Sequence, residues 1–140
     1  MKKLFTVYAA VLLAVSSAAF AACAPRTPAT VTLGENAVLI TPSSEVLEIT
    51  AETTLADYMD ELVSRDELEY EAADGMITSI NGKAQKGSSY WMLYTDDAEN
   101  SNEDWGTAEY EGKTYLSATL GYGLLPIKEG CTYIWLYQTF

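Results

Sequence analysis

The fold is decided by three stretches of sequence: Met76-Ile-Thr-Ser-Ile-Asn-Gly-Lys-Ala84, Tyr90-Trp-Met-Leu-Tyr94 and Gly130-Cys-Thr-Tyr-Ile-Trp-Leu-Tyr137. The last two are rich in Tyr, Trp, Ile and Thr, which favour strands, so strands are predicted over 90–95 and 131–138. Residues 76–80 alternate apolar and polar side chains, which is typical of a half-buried strand, and Asn81-Gly82 ends that pattern. The second half of the chain is therefore predicted to be mostly β-structure.

One helix is predicted before these strands. Thr54 followed by Asp57 can cap a helix whose Leu55, Met59, Leu62 and Val63 lie on one apolar stripe. Further strands are predicted over 37–40, 45–50, 68–71 and 115–120, and a turn at Asp74-Gly75. The expected fold class is α+β, with a single helix packed on a mixed or antiparallel β-sheet.

These elements resemble, in the same order, the C-terminal domain of transcobalamin and intrinsic factor, a fold that many bacterial lipoproteins carry as a domain of unknown function. The resemblance rests on Leu55-Ala-Asp-Tyr-Met-Asp-Glu-Leu62, Asn81-Gly-Lys-Ala84, the aromatic strand at Tyr90 and the last strand entered through Lys128-Glu-Gly130. It implies a β-grasp-like domain over residues 36–140. It also implies that Tyr90-Trp91 and Met92-Leu93 lie close to the region where such proteins hold a corrinoid.

The N-terminus has the pattern of a lipoprotein signal peptide over residues 1–22. Lys2 and Lys3 precede an uncharged run from Leu4 to Phe20, and small residues lead into Cys23. This resembles the bacterial lipobox, which implies lipidation at Cys23 and a tether over residues 23–35. The expected location is the extracytoplasmic face of the cell membrane, held by the lipid anchor. A retained transmembrane helix and plain secretion are the alternatives.

The charge excludes some partners. The chain holds 20 Asp and Glu against 8 Lys and Arg, a net charge of −12, and removal of residues 1–22 would take two lysines and leave 6 − 20 = −14. Such a surface repels nucleic acid and anionic lipid. Apolar residues remain plentiful, so the composition is that of a folded domain with an acidic surface.

Catalysis is not expected. The chain contains no histidine, which excludes a histidine-based triad or zinc site and leaves no histidine to activate Cys131. The acidic stretch 96–104 is expected to be a solvated loop. Its oxygen-bearing side chains alternate at Asn100, Asn102 and Asp104, but the glycine and glutamate spacing does not fit a calcium loop, so no metal site is predicted.

The aromatic residues are the candidate binding surface. Ten of the thirteen Tyr and Trp follow residue 89. In a strand, Tyr133, Trp135 and Tyr137 share one face and Ile134 and Leu136 the other. If the aliphatic pair faces the helix, the aromatic face is free for a ligand; otherwise the rings stabilise the sheet as core. Together with the apolar loop 121–126, this predicts the ligand-binding residues Tyr90, Trp91, Met92, Leu93, Tyr122, Leu124 and Trp135.

Two functions are therefore weighed for this non-catalytic domain. The first is capture of a small planar ligand for an uptake system, with cobalamin as the candidate ligand and an envelope transporter as the candidate partner. The second is a surface module for protein interaction or structure. The helical partner domain of transcobalamin-like proteins has no room in 140 residues. A one-sided site of this kind predicts binding no tighter than micromolar unless another protein closes it.

Overall fold

A computed structural model describes residues 31–140 of the chain. The predicted signal peptide over 1–22 and lipidation at Cys23 lie outside the described residues. Within the described part, no helix has the length and apolar character needed to cross a membrane. The stretch predicted as a tether, 23–35, overlaps the first strand, because Val31 to Leu33 pair with the strand that follows.

The described residues form one α-helix and nine strands, which confirms the α+β class. The helix is α1 (Leu55–Ser64), and a single turn of 3-10 helix spans Ala98–Asn100. The strands are β1 (Val31–Leu33), β2 (Ala37–Ile40), β3 (Tyr70–Ala73), β4 (Met76–Ile80), β5 (Lys83–Ala84), β6 (Ser89–Thr95), β7 (Ser101–Tyr110), β8 (Lys113–Ala118) and β9 (Tyr133–Thr139).

Two sheets organise these strands. The larger has the order β1-β2-β9-β6-β8-β7, and the smaller has the order β3-β4-β5. The strand pairs within them are antiparallel, which is one of the two predicted arrangements. At the centre of the larger sheet, β6 and β9 pair along seven residues, from Ser89 opposite Thr139 to Thr95 opposite Tyr133. The two aromatic stretches of the sequence are thus neighbours.

Helix α1 begins as the sequence predicts. The Thr54 hydroxyl accepts the Asp57 amide, and the Asp57 carboxylate accepts the Thr54 amide, which completes a capping box. The buried stripe is Leu55, Tyr58, Met59 and Leu62. Val63, predicted to share it, is 39% exposed, so that prediction was wrong. Tyr58 takes the place because its ring is buried while its hydroxyl accepts the Ser43 amide at 3.0 Å.

The larger sheet has a hydrophobic cluster on each face. The cluster under α1 contains, besides the helix residues, Val38, Ile40, Trp91, Tyr133 and Trp135. The cluster on the opposite face contains Ala37, Tyr94, Ala108, Tyr115, Ile134 and Leu136. Because side chains alternate along a strand, β9 contributes to both clusters. The domain is therefore stabilised on both sides of its central strand pair.

Two further predictions were wrong. Residues 45–50 form no strand. Their apolar side chains pack on the cluster under α1, while the main chain is held locally, with Ser43 accepting the Val46 amide and Arg65 donating to the Val46 carbonyl. The stretch 96–104 is only partly a loop, because β7 begins at Ser101. A bulge between Asn102 and Thr107 accommodates its polar residues at the sheet edge.

Candidate functional site: an uncharged cavity beside strand β6

The aromatic face of β9 points toward the helix. Tyr133 and Trp135 belong to the cluster under α1, and Tyr137 packs against it, whereas Ile134 and Leu136 lie on the other face. Trp91 and Trp135 are only 6% and 4% exposed. The expectation that the aromatic face is free if the aliphatic pair faces the helix is therefore not met, and both indoles are core residues.

A cavity of about 290 Å³ nevertheless adjoins these indoles. Its wall includes the consecutive residues Trp91, Met92 and Leu93 of β6 and the consecutive residues 117–122 that end β8 and follow it. Since neighbouring side chains of a strand point to opposite faces, three consecutive wall residues place the cavity at the edge of β6. Strands β6 and β8 pair only at Tyr94 and Thr95 and then diverge. The cavity lies in the gap between them.

The wall carries no charge although the chain has a net charge of −12. The remaining wall residues are Gly75, Met76, Ile77 and Trp135, which come from the β3–β4 turn, β4 and β9. Around the cavity, Met76, Leu120 and Met92 are 60%, 41% and 36% exposed. Flexible apolar side chains in such a position can adapt to a bound apolar molecule. The site is thus suited to an uncharged ligand.

The structure brings five of the seven sequence-predicted residues to this cavity. They are Trp91, Met92, Leu93, Tyr122 and Trp135. Tyr90 is not in the wall; it is 37% exposed, and its ring lies 6.5 Å from that of Phe140. Leu124 is not in the wall either and is 72% exposed in the loop 121–126. Whether a ligand contacts any of the seven stays a prediction.

Tyr122 is positioned by hydrogen bonds between its loop and the start of α1. The Ala56 amide donates to the Tyr122 carbonyl at 3.0 Å, and the Leu55 amide donates to the Leu125 carbonyl at 2.9 Å. These are amides of the first helical turn, which have no partner inside the helix. The Tyr122 ring meets Trp135 edge-on at 6.2 Å and Tyr70 at 6.0 Å between centroids. The loop thereby closes over the indole of Trp135.

The two indoles differ in their hydrogen bonding. Trp91 Nε1 donates to the Lys83 carbonyl at 2.8 Å, which ties β6 to β5. Trp135 Nε1 is buried and has no hydrogen-bond partner among residues 31–140. A buried donor without a partner costs about 1–3 kcal/mol. The cavity wall therefore includes a side chain whose polar atom lacks an acceptor.

Sequence reasoning missed several wall residues, chiefly Met76, Ile77 and the run 117–120. Met76 and Ile77 were read only as strand residues, and 117–120 as part of a strand that in fact ends at Ala118. The available signal was the apolar Leu120 directly before Gly121-Tyr-Gly123, where a strand pattern meets a loop pattern. No pattern in the local sequence indicates that β8 and β6 stop pairing before Leu93.

The segment that follows the C-terminal end of β6 is polar and hydrogen-bonded. Buried Asp97 accepts hydrogen bonds from the Asn100 side chain at 2.8 Å, the Glu99 amide at 3.1 Å and Lys128 Nζ at 3.2 Å. Burial alone would raise the pKa of Asp97, but these hydrogen bonds and the Lys128 charge outweigh it and hold the pKa below its ordinary value. Burial and the nearby Asp97 and Asp96 charges raise the pKa of the Cys131 thiol. That shift disfavours a reactive thiolate.

The described residues contain no group of three or more Cys, Asp or Glu that could hold a metal ion.

The fold and the cavity together define an α+β domain with an uncharged site at a sheet edge. A family model described as a domain of unknown function (DUF4430) matches residues 52–105, from the approach to α1 as far as Trp105 in β7. No curated protein and no solved structure shows a significant match to the chain. The match supports a likeness to that family and assigns no ligand.

Proposed function

We propose that the chain is a non-catalytic envelope lipoprotein whose domain binds an uncharged, largely apolar small molecule in the cavity beside β6. The observation that carries this proposal is the cavity itself, which has an uncharged wall in an acidic chain and lies beside the glycine-flanked Tyr122. Concave, mostly apolar sites with a few polar groups are the usual form of small-molecule sites. Lipidation at Cys23 and location at the extracytoplasmic face of the membrane are part of the proposal.

A corrinoid such as cobalamin is the first candidate ligand, through the resemblance to the transcobalamin C-terminal domain. The cavity volume of about 290 Å³ lies just below the range of small-molecule pockets, which is about 300–1,000 Å³. A molecule as large as a corrinoid would insert only one edge or substituent and would lie across the exposed Met76, Leu120 and Met92. A hydrogen-bond acceptor on the inserted part would be favoured if it reached Trp135 Nε1.

Ligand capture of this kind would serve an uptake system in the same envelope. The open cavity covers only one side of a ligand, so we expect an affinity in the micromolar range and a partner that completes the site, such as a transporter. The acidic surface would repel nucleic acid and anionic ligands.

Titration of the purified chain with cyanocobalamin, followed by calorimetry, tests the proposal. Saturable binding with Kd below about 100 μM, equivalent to about 5.5 kcal/mol, is the expected result. Leu120→Ser should weaken binding about tenfold because it removes apolar contact at the cavity wall. Leu124→Ser is the matched control: that leucine is more exposed and lies outside the wall, so binding should be unchanged. No heat change up to 100 μM, or equal effects of both variants, would contradict the proposal.

A further inference from the structure

Strand β6 has two unlike edges. Toward β9 it pairs at all seven residues, whereas toward β8 it pairs only at Tyr94 and Thr95. No other strand of the described chain lies beside β6 in the sheet. The edge formed by residues 91–93 is therefore open, and it is the edge that bounds the cavity.

The direction of the backbone groups on this edge follows from hydrogen bonds at both ends of β6. The Asp96 amide donates to the Thr132 carbonyl, and the Ser88 carbonyl accepts the Phe140 amide. In an antiparallel pair, alternate residues bond the same neighbour, so Tyr90, Met92 and Tyr94 direct their amides and carbonyls toward β9. Trp91 and Leu93 consequently direct theirs away from β9, toward the open edge.

We propose that this open edge binds an extended segment of a partner protein, which adds to β6 as an antiparallel strand. Main-chain groups of an unpaired edge are a template for such addition, and side-chain pockets beside it provide specificity. The segment's side chains opposite Trp91 and Leu93 project to the same face as those residues, toward Trp135 and Tyr122. Alternate residues of the segment therefore enter the cavity and should be apolar.

The charge of the chain selects the kind of segment. The cavity wall is uncharged, while the chain as a whole has a net charge of −12. The residues of the partner segment that pair with β6 should thus be uncharged. Lysine or arginine should flank them, because the acidic surface attracts these residues. A second copy of this chain is disfavoured as the occupant because two such acidic surfaces repel each other. This inference goes beyond the proposed small-ligand function and does not depend on it.

The test uses a synthetic peptide of alternating valine and threonine with two lysines at each end, added to the full chain without any small ligand. Valines that fill the cavity lie opposite Trp91 and Leu93, and in an antiparallel pair their amides face β6. N-methylation of the valine amides should therefore weaken binding at least about tenfold, whereas N-methylation of the threonine amides should change it by less than about threefold. Equal losses for the two peptides, or no binding of the parent peptide up to about 1 mM, would overturn the proposal.

Amide hydrogen exchange read by NMR provides a second measurement without any substitution. In the free chain the Leu93 amide should exchange at least about tenfold faster than the Met92 amide, and the peptide should slow the Trp91 and Leu93 amides without slowing that of Met92. A Leu93 amide already protected in the free monomer would show that the edge is closed. Protection that appears only with dimer formation in sedimentation would make a second copy the occupant and overturn the proposal. Failure of cyanocobalamin to bind would leave this result intact, so the two ideas fail separately.

Discussion

Two parts of β6 differ in a way that separates stability from binding: its C-terminal end at Thr95 and the stretch from Trp91 to Leu93 beside the cavity. At the Thr95 end, the Thr95 hydroxyl donates to the Thr132 carbonyl at 2.8 Å and the Asp96 carboxylate accepts the Thr132 amide at 2.7 Å. Buried Asp97 has four donors, the weakest being the Tyr133 hydroxyl at 3.5 Å. Beside the cavity, from Trp91 to Leu93, β8 no longer pairs with β6, and the Trp135 indole nitrogen is buried without a hydrogen-bond partner among the described residues. The C-terminal end of β6 thus has its charged groups in hydrogen bonds, whereas the part beside the cavity is uncharged and includes one buried donor without an acceptor.

The difference depends on which hydrogen-bonding groups and apolar side chains each part leaves available to a partner. Most acceptor positions of the buried Asp97 carboxylate are occupied by donors of the chain itself, so we expect its main contribution to be to stability. The part of β6 beside the cavity combines apolar side chains with main-chain groups that pair with no other strand of the described chain, and both can contact a partner.

Trp91→Ala should cost about 3–5 kcal/mol of unfolding free energy, because it empties a buried site and removes the hydrogen bond to the Lys83 carbonyl. Urea unfolding followed by circular dichroism measures this. Trp105→Ala is the matched control, since that indole is 63% exposed on β7 and its loss should change stability by less than about 0.5 kcal/mol. A cost below about 1 kcal/mol for Trp91→Ala would show that Trp91 belongs to the open surface instead of the core.

Asp97→Ala should cost about 2–3 kcal/mol at neutral pH, because it strips the acceptor from the Asn100 side chain, the Glu99 amide and Lys128. Glu99→Ala is the control. Its carboxylate also pairs with Lys128, at 2.5 Å, but it is largely exposed and should contribute less than about 1 kcal/mol. Equal losses for the two variants in urea unfolding would contradict the view that the polar end of β6 is stabilised by a buried acceptor.

The pH dependence of stability should report the same carboxylate. Since the pKa of Asp97 is lower in the folded than in the unfolded chain, its contribution is present above the unfolded pKa of about 3.9 and is lost as pH falls through the folded value. The gap in unfolding free energy between the parent chain and Asp97→Asn should therefore shrink from pH 6 to pH 2. A gap that stays constant over this range would show that the Asp97 charge contributes nothing.

Local sequence signals predicted the elements that local interactions specify. The capping box at Thr54 and Asp57, the turn at Asp74-Gly75 and the aromatic strands at 90 and 133 all form near the expected positions. Each depends on residues a few positions apart. The strand predicted over residues 45–50 was wrong because alternating apolar and polar side chains do not distinguish a strand from an irregular segment. Here the irregular segment packs its apolar side chains on the core.

The site could be predicted only in part for the same reason. Aromatic enrichment after residue 89 located Trp91, Tyr122 and Trp135, but which face of β9 meets α1 depends on packing between distant segments. The cavity arises because β8 pairs with β6 at two residues and then departs, and this register is a tertiary property. The partners at Met76 and 117–120 could therefore not be named from their own sequence.

Two glycines, Gly75 and Gly121, line the cavity, and their substitution should change stability only a little. Gly75 has φ +78°, so Gly75→Ala should cost about 1 kcal/mol in urea unfolding through backbone strain. Gly121 has no such strain, and a methyl group there would meet the Gly75 carbonyl at 3.9 Å, an ordinary contact. Gly121→Ala should therefore leave stability within about 0.5 kcal/mol. Because it adds a methyl group to the cavity wall, it should still weaken ligand binding in calorimetry. A Gly121→Ala chain that binds normally would move the binding surface away from this loop.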